Sequence, residues 1–307
     1  MKNAVTMSGL ICLVAASAGP SWGNSMKADL DAIADRRTEV KAMAEFMAEH
    51  RASARNPVEF KKIPGGKFEM GTALFTDAQP IHTVEIPAFQ MSKTLVTVWQ
   101  YQEYYDSLTG PAQLAALPGR ENDAQHGKEE NDEFYNACNW GKKGRQLHPI
   151  NCVSWAQASA FAAYMATQTG YEGVRLPTEA EFEYAAKSGN KNYTYPWGND
   201  PDRRKAVVSG KTTMPVCSKS SAGGDTSQGL CDMSGNVWEW MQDTYQNSYT
   251  GAPTDGGAYK GGGTCRVVRG SPFGSRASRE NLRADIRYRE LPDNRDGSVG
   301  FRLARSN

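Results

Sequence analysis

The stretch DMSGNVWEW, Asp232–Trp240, is the most informative run in the chain. Within it Trp238 and Trp240 alternate with Glu239, a spacing at which both indoles can be buried while the carboxylate points elsewhere. Gly235 permits a tight turn directly before them. A carboxylate at each end of such a turn, with free carbonyls between, suits a calcium ion. The run therefore predicts a turn that is held by two aromatic anchors.

Composition places the chain among ordinary globular proteins. It has 307 residues, of which 39% are hydrophobic and 22% charged, and this balance argues against disorder. The formal net charge is +1, which gives no reason to expect a polyanion such as nucleic acid as a partner.

The N-terminus is typical of an exported protein. Lys2 precedes a short apolar run, and small residues offer cleavage after Ala18 or Gly23, so residues 1–23 are predicted to be a signal peptide. The run is shorter than the ~20 apolar residues that a bilayer span requires. We therefore expect a periplasmic or secreted protein without a transmembrane span.

Residues 24–56 have the pattern of an amphipathic helix, which would lie on the following domain or serve as a coiled-coil docking element. Asn56-Pro57 ends it, and residues 57–307 form the predicted main domain.

That domain is predicted to be α+β, with a large irregular part beyond Ser188. The stretch 60–71, FKKIPGGKFEMG, predicts a hairpin about its Pro-Gly-Gly turn, and residues 82–97 alternate as a half-buried strand does. Three helices are expected, at Val98–Leu108, at Ser154–Thr169 and within 175–189; in the last, Pro177 suits the first turn and Thr178 with Glu181 forms a capping box.

Five cysteines remain once Cys12 leaves with the signal. Pairing is the default in an oxidising compartment, and the pairs closest in sequence are Cys138 with Cys152 and Cys217 with Cys231. Spacing does not decide the connectivity, and one cysteine is left over.

Seven segments, in order along the chain, resemble the formylglycine-generating enzyme (sulfatase-modifying factor) family. The resemblance covers roughly residues 58–304 and implies a variant of the C-type lectin fold. The segments are IPGGKFEMG (63–71), HPINCVSWAQASAFAAY (148–164), RLPTEAEFEYAA (175–186), YPWGN (195–199), GLCDMSGNVWEW (229–240), VVRGSPFG (267–274) and PDNRDGSVGFRLA (292–304).

The resemblance also implies a structural calcium ion at the opening motif. Its ligands would be the side chains of Asp232 and Glu239 and the carbonyls of Gly235 and Val237. The alternative is that Glu239 bonds only backbone amides in a buried loop.

Members that oxidise a substrate cysteine carry a Cys-x-x-x-x-Cys pair, whose soft thiolates bind copper(I). The alignment implied by the resemblance places Gly274 and Arg279 at those two positions. Neither residue can bind copper(I), so the family's fold is expected here without that catalysis, and the catalytic residues of any other reaction stay unknown.

The segment from Arg266 to Arg289 is strongly basic. In the fold that the resemblance implies it lines a cleft, so the predicted ligand site consists of Trp238, Ser271, Arg276, Arg279 and Arg283. Such a cleft would hold an anionic glycan, peptide or partner protein. The alternative is that several of these arginines pair with nearby acids or cover tryptophan faces.

Three functions follow. The first is an exported recognition or accessory protein. The second is a periplasmic enzyme with different oxidative chemistry, such as siderophore (pyoverdine) maturation, with Glu280 and Asp285 as acid/base candidates. The third is formylglycine generation for sulfatases, against which Gly274 and Arg279 argue.

Overall fold

The computed structural model describes residues 57–119, 137–276 and 278–307. The predicted signal peptide (1–23) and N-terminal helix (24–56) lie outside these residues. Residues 55–140 and 144–307 group into one compact unit; the other unit, residues 1–54 with 141–143, lies almost wholly outside the description. Among the helices that are described, none is both long and apolar enough to cross a membrane.

The first four strands form one long antiparallel hairpin with a break in each arm. Strands β1 (Phe60–Ile63) and β2 (Gly66–Met70) make up one arm, and β3 (His82–Ile86) and β4 (Phe89–Ser92) make up the other. β1 pairs with β4, and β2 pairs with β3, in one continuous register.

The predicted hairpin within 60–71 is therefore wrong in its pairing. The Pro-Gly-Gly segment is a break inside one arm, where a Cβ on Gly65 would lie 2.6 Å from the carbonyl oxygen of Ile86. The chain reverses later, between β2 and β3. The predicted alternation holds in β3, where Val84 and Ile86 are buried between exposed neighbours.

The helices begin where their caps predict. Helix α1 (Val98–Ser107), α3 (Trp155–Ala166) and α4 (Glu179–Ala186) each start from a capping box. Pro177 precedes the cap of α4 and is not in its first turn, which corrects that detail. Helix α2 (Gly110–Ala116) has Pro at its start and was not predicted.

The part beyond Ser188 holds more regular structure than its sequence suggests. Strands β5 (Trp238–Thr244), β6 (Arg266–Arg269), β7 (Arg287–Glu290) and β8 (Val299–Gly300) form a sheet in the order β7-β6-β5-β8. Strand β9 (Ala304–Ser306) pairs with β4 in the first sheet. These strands have only two to seven residues, too few for a clear alternation.

The register of the four-stranded sheet defines its two faces. Glu239, Arg269 and Arg287 lie opposite one another on β5, β6 and β7, on the face that we call the inner face. Trp240, Val268 and Tyr288 lie opposite one another on the other side, the outer face.

Helix α4 packs on the inner face and brings two buried carboxylates to it. The Arg269 guanidinium, which is fully buried, donates to Glu183 Oε2 at 2.7 Å and to Glu179 Oε1 at 3.1 Å. Arg287 donates to both oxygens of Glu179, at 2.7 and 2.9 Å. Lys187 adds a third cation, 2.8 Å from Glu183. Apolar residues of α4, such as Phe182, surround this network in the core.

The two disulfides join the cysteines nearest in sequence, Cys138–Cys152 and Cys217–Cys231, while Cys265 is free. This settles the connectivity that spacing left open. Two disulfides fit an oxidising compartment.

Asp243 joins three parts of the fold without a cation in hydrogen-bonding contact. Its Oδ2 accepts the backbone N–H of Glu179 at the start of α4, and its Oδ1 accepts that of Tyr259. Burial and the nearby charge of Glu179 raise the pKa of Asp243 to about 7, with Glu181 acting in the same direction. Burial lowers the pKa of Arg266, and the charge of Asp243 opposes that shift.

Removing one partner of the inner-face network should be strongly destabilising. Arg269→Met leaves Glu179 and Glu183 buried with fewer counter-charges, so we expect the free energy of unfolding to fall by about 3–5 kcal/mol. The matched control is Arg204→Met, since Arg204 is exposed beside Asp202 and its loss should change the free energy of unfolding far less. Denaturant titration measures both, and equal losses would contradict the assignment.

The stability of the Asp243→Asn variant should rise relative to that of the parent chain as pH rises. A carboxyl group with a raised folded pKa binds its proton more tightly when folded, so its contribution to stability falls between about pH 4 and pH 7. The difference in unfolding free energy should therefore move in favour of the variant over that range and level off above it. A difference that stays constant across denaturant titrations at these pH values would refute the raised pKa.

Candidate functional site

The turn before Trp238 is built as predicted, but the burial of its aromatic strand is not. A Cβ on Gly235 would lie 2.7 Å from the backbone nitrogen of Val207, and the residue has φ of 92°, so this position needs glycine. Trp240 and Glu239 are both fully buried, whereas Trp238 is only half-buried.

Glu239 is held by an arginine from the end of the chain. Its Oε2 accepts from Arg302 Nε at 2.6 Å, and its Oε1 accepts from Arg302 Nη2 at 3.0 Å. The same guanidinium donates to the carbonyl of Cys231, directly before the motif. This bidentate ion pair, which is wholly buried, fixes strand β5 against the C-terminal segment.

The calcium ligand set predicted from Asp232, Gly235, Val237 and Glu239 stays a prediction, and Glu239 has a competing partner in this structure. Both oxygens of Glu239 already face a cation, the Arg302 guanidinium, which would repel a calcium ion. The alternative for Glu239, bonding only to backbone amides, is wrong, because its partner is an arginine side chain.

Asp232 has a structural role at the same turn. Its Oδ2 accepts the backbone N–H of Cys217 at 2.8 Å, so the carboxylate joins the two halves of the Cys217–Cys231 loop. Burial raises the pKa of Asp232 to about 6, and the hydrogen bond from Cys217 acts against this shift.

The segment that carries Gly274 follows strand β6 and turns sharply. Ser271 is fully buried with φ of 65°, and its hydroxyl donates to Ser275 Oγ at 2.9 Å. The backbone N–H of Phe273 bonds the carbonyl of Asn236 at 2.9 Å, which fixes the segment beside the tryptophan motif. Gly274 itself is exposed.

Most arginines of the basic segment form ion pairs or ring contacts within the fold. Arg269 and Arg287 belong to the inner-face network. Arg283, predicted to line the cleft, instead pairs with Asp285. Arg266 lies over the Trp155 ring, with its guanidinium carbon 3.8 Å from the ring centroid. For these four residues the structural alternative is therefore correct.

Arg276 and Arg279 differ from the others. Both are exposed, and among the residues that the structure describes no hydrogen bond or ion pair engages either guanidinium. Arg279 lies close enough to Tyr195 to act on its ionisation: burial raises the pKa of Tyr195, and Arg283 and Arg279 oppose that shift.

The predicted cleft residues fall into two groups. Arg279 and Arg283 lie near Tyr195, whose ring stacks on Trp197 with centroids 5.8 Å apart. Trp238 belongs to the strand pairing of β5 and stacks on Tyr288, on the outer face. The YPWGN segment signalled the first aromatic pair, but Tyr288 has no sequence signal beyond its place in a basic strand.

Neither acid/base candidate has the properties of a general base. Asp285 is buried and held by Arg283. Glu280 is exposed, and hydrogen bonds to its own backbone and to Ser278 lower its pKa. A carboxylate with a lowered pKa is a weak base near neutral pH.

Comparison with known proteins connects this geometry to a family. The model of the sulfatase-modifying factor enzyme 1-like domain matches residues 45–307. The formylglycine-generating enzyme of Streptomyces coelicolor is 29% identical over an alignment of 286 residues, which covers 79% of this chain and 88% of that enzyme.

Two further proteins show how the domain recurs. Serine/threonine-protein kinase Pkn1 of Chlamydia trachomatis is 30% identical over an alignment of 261 residues, but this chain matches only 37% of the kinase's length. The solved structure of PvdO from Pseudomonas aeruginosa has a TM-score of 0.66 at 26% identity, covering 83% of this chain and 96% of PvdO. The chain therefore belongs to the sulfatase-modifying factor (formylglycine-generating enzyme) family and has that family's variant of the C-type lectin fold.

Proposed function

We propose that this protein is an exported recognition or accessory protein that binds an anionic group through Arg276 and Arg279 and lacks the family's cysteine-oxidase activity. The observation that carries the proposal is the state of these two side chains. They are exposed guanidiniums without a described partner, in a segment whose other arginines are mostly engaged by carboxylates or aromatic rings.

The chemistry of the segment supports an anion as the ligand. A guanidinium offers two parallel N–H donors to a carboxylate, sulfate or phosphate, and exposed pairs of arginines are well suited to such groups. Near Arg279, the half-buried Trp197 stacks on Tyr195, which is buried. Gly274 and Arg279 stand where the resemblance places the copper-binding thiolates, so the same surface has no soft ligand for copper.

Replacing both arginines should weaken anion binding strongly without affecting folding. For Arg276→Ala/Arg279→Ala we expect the affinity for a heparin-derived octasaccharide or a hexaglutamate peptide to fall at least about tenfold, since each charge-assisted bond contributes ~1.5–3 kcal/mol. Fluorescence anisotropy at fixed low salt measures it.

Arg203→Ala/Arg204→Ala is the matched control, because it removes the same charge from the exposed turn Arg203–Lys205. Equal losses in the two double variants would mean general charge attraction and would refute the proposed site.

A second candidate is a periplasmic enzyme with different oxidative chemistry, such as siderophore maturation. Its support is the similarity to PvdO over most of both chains. Asp285 is paired with Arg283, and the pKa of Glu280 is lowered, so neither is suited to act as the general base of this chemistry. We therefore rank the enzyme below the recognition protein.

Formylglycine generation ranks third, and copper(I) binding tests it. Among the cysteines that the structure describes, Cys265 is the one free thiol, so we expect no copper(I) site built from two thiolates. Titration with copper(I) in the presence of a competing chelator measures this, with Cys265→Ser as the control. Tight, stoichiometric copper(I) binding that persists in Cys265→Ser would support formylglycine generation and contradict the proposed loss of that activity.

A further inference from the structure

The outer face of the four-stranded sheet carries an aromatic pair that neither the core nor the arginine site uses. The rings of Trp238 and Tyr288 are nearly parallel, 19° apart, with centroids separated by 5.9 Å. Tyr288 keeps 54% of its surface exposed, although a tyrosine on a sheet usually finds a covering neighbour. Trp238 therefore supports one side of a ring that remains largely open to solvent.

The pair is rigidly positioned by the strands beneath it. Tyr288 lies directly opposite Val268, and Val268 lies opposite Trp240, both of which are fully buried. The Trp240 indole N–H is fixed by a 2.9 Å bond to the carbonyl of Val153. The exposed ring thus lies on the edge strand beside a packed layer, and binding would not require it to be ordered first.

Polar groups lie one step along the same face. Arg266 and Glu290 are opposite each other in the register, two residues from Val268 and Tyr288, or about 7 Å along the strands. Arg266 is held flat over Trp155 and donates to the carbonyl of Gln242. Glu290 accepts from Asn294 Nδ2 at 2.9 Å. Both planar groups are therefore fixed in place.

The charges on this surface indicate what it would bind. Arg266 and Glu290 share the face of Tyr288 and carry opposite charges, while the neighbouring Arg289 belongs to the other face and lies over the Tyr245 ring. Neither sign of charge therefore dominates among the residues that share this face. An open aromatic ring accepts the apolar C–H face of a pyranose, and planar bidentate groups suit adjacent hydroxyls. A neutral sugar matches both halves of the surface.

From this arrangement we infer that the outer face, through Tyr288, Trp238, Arg266 and Glu290, is a binding site for a neutral carbohydrate. A sugar ring stacks on Tyr288 while its hydroxyl groups bond Arg266 and Glu290. This site shares no residue with the one proposed at Arg276 and Arg279, so its failure would leave that proposal untouched.

Neutral hexasaccharides test the inference: a β-1,4-glucan, a β-1,4-linked N-acetylglucosamine oligomer and a mannan oligomer, titrated to millimolar concentrations. Binding is followed by saturation-transfer NMR and by tryptophan fluorescence. At least one sugar should bind, and Tyr288→Ala should weaken it by about tenfold or more, since truncated aromatic anchors dominate binding energy. Tyr288→Phe should bind nearly as the parent does, because it keeps the ring.

Two controls separate this site from other surfaces. Leu114→Ala, which truncates an exposed apolar side chain on α2, and Arg276→Ala/Arg279→Ala should both leave sugar binding unchanged. Thermal unfolding confirms that each variant is folded. The inference is overturned if no sugar of the panel binds, if Tyr288→Ala binds as tightly as the parent, or if sedimentation shows a dimer that Tyr288→Ala dissociates.

Discussion

The fold depends on the charged layer between helix α4 and the four-stranded sheet. Glu179 and Glu183 project from a short helix onto a sheet face that carries Arg269 and Arg287, and both arginines are buried. Burying single charges would be prohibitive, so each member is tolerable only because the others are present. The helix position, the strand register and the side-chain identities are therefore mutually dependent. A second buried ion pair, Glu239 with Arg302, connects the tryptophan motif to the C-terminal segment in the same way.

This layer explains why a basic segment yields so few binding residues. Its arginines are spaced for strands, and every second residue of such a strand points to the inner face. Arg269 and Arg287 thus reach α4, whereas Arg276 and Arg279 lie in the irregular stretch between the two strands and stay outside. Tyr288, next to Arg287, points the other way for the same reason. Within this one stretch, the alternation of side chains along the strands therefore places some residues in the buried network and leaves others exposed.

The sequence predicted well what depends on neighbouring residues. Thr178 with Glu181, and Ser154 as a cap, are local signals, and both helices begin there. Pairing between distant residues was harder to predict: β1, just before Gly65 in the same hairpin arm, pairs with β4 across 26 to 32 positions. The partners of Arg269 and Arg287 are separated from them by 86 to 108 positions, so no local pattern marks which arginines are engaged. The calcium set predicted at the tryptophan motif likewise took no account of Arg302, which lies 63 positions from Glu239 and holds its carboxylate.

The strand order β1-β4-β9 has a consequence for how such a domain travels between proteins. The first and the last described strand flank the same central strand and both run antiparallel to it, so the chain enters opposite Ser92 and leaves opposite Phe89. Entry and exit are therefore only about 10 Å apart along the sheet and about 10 Å apart across it. A unit whose two ends lie this close together can be inserted into, or appended to, an unrelated polypeptide. That geometry suits a module that fills 88% of one bacterial relative and 37% of a much longer kinase.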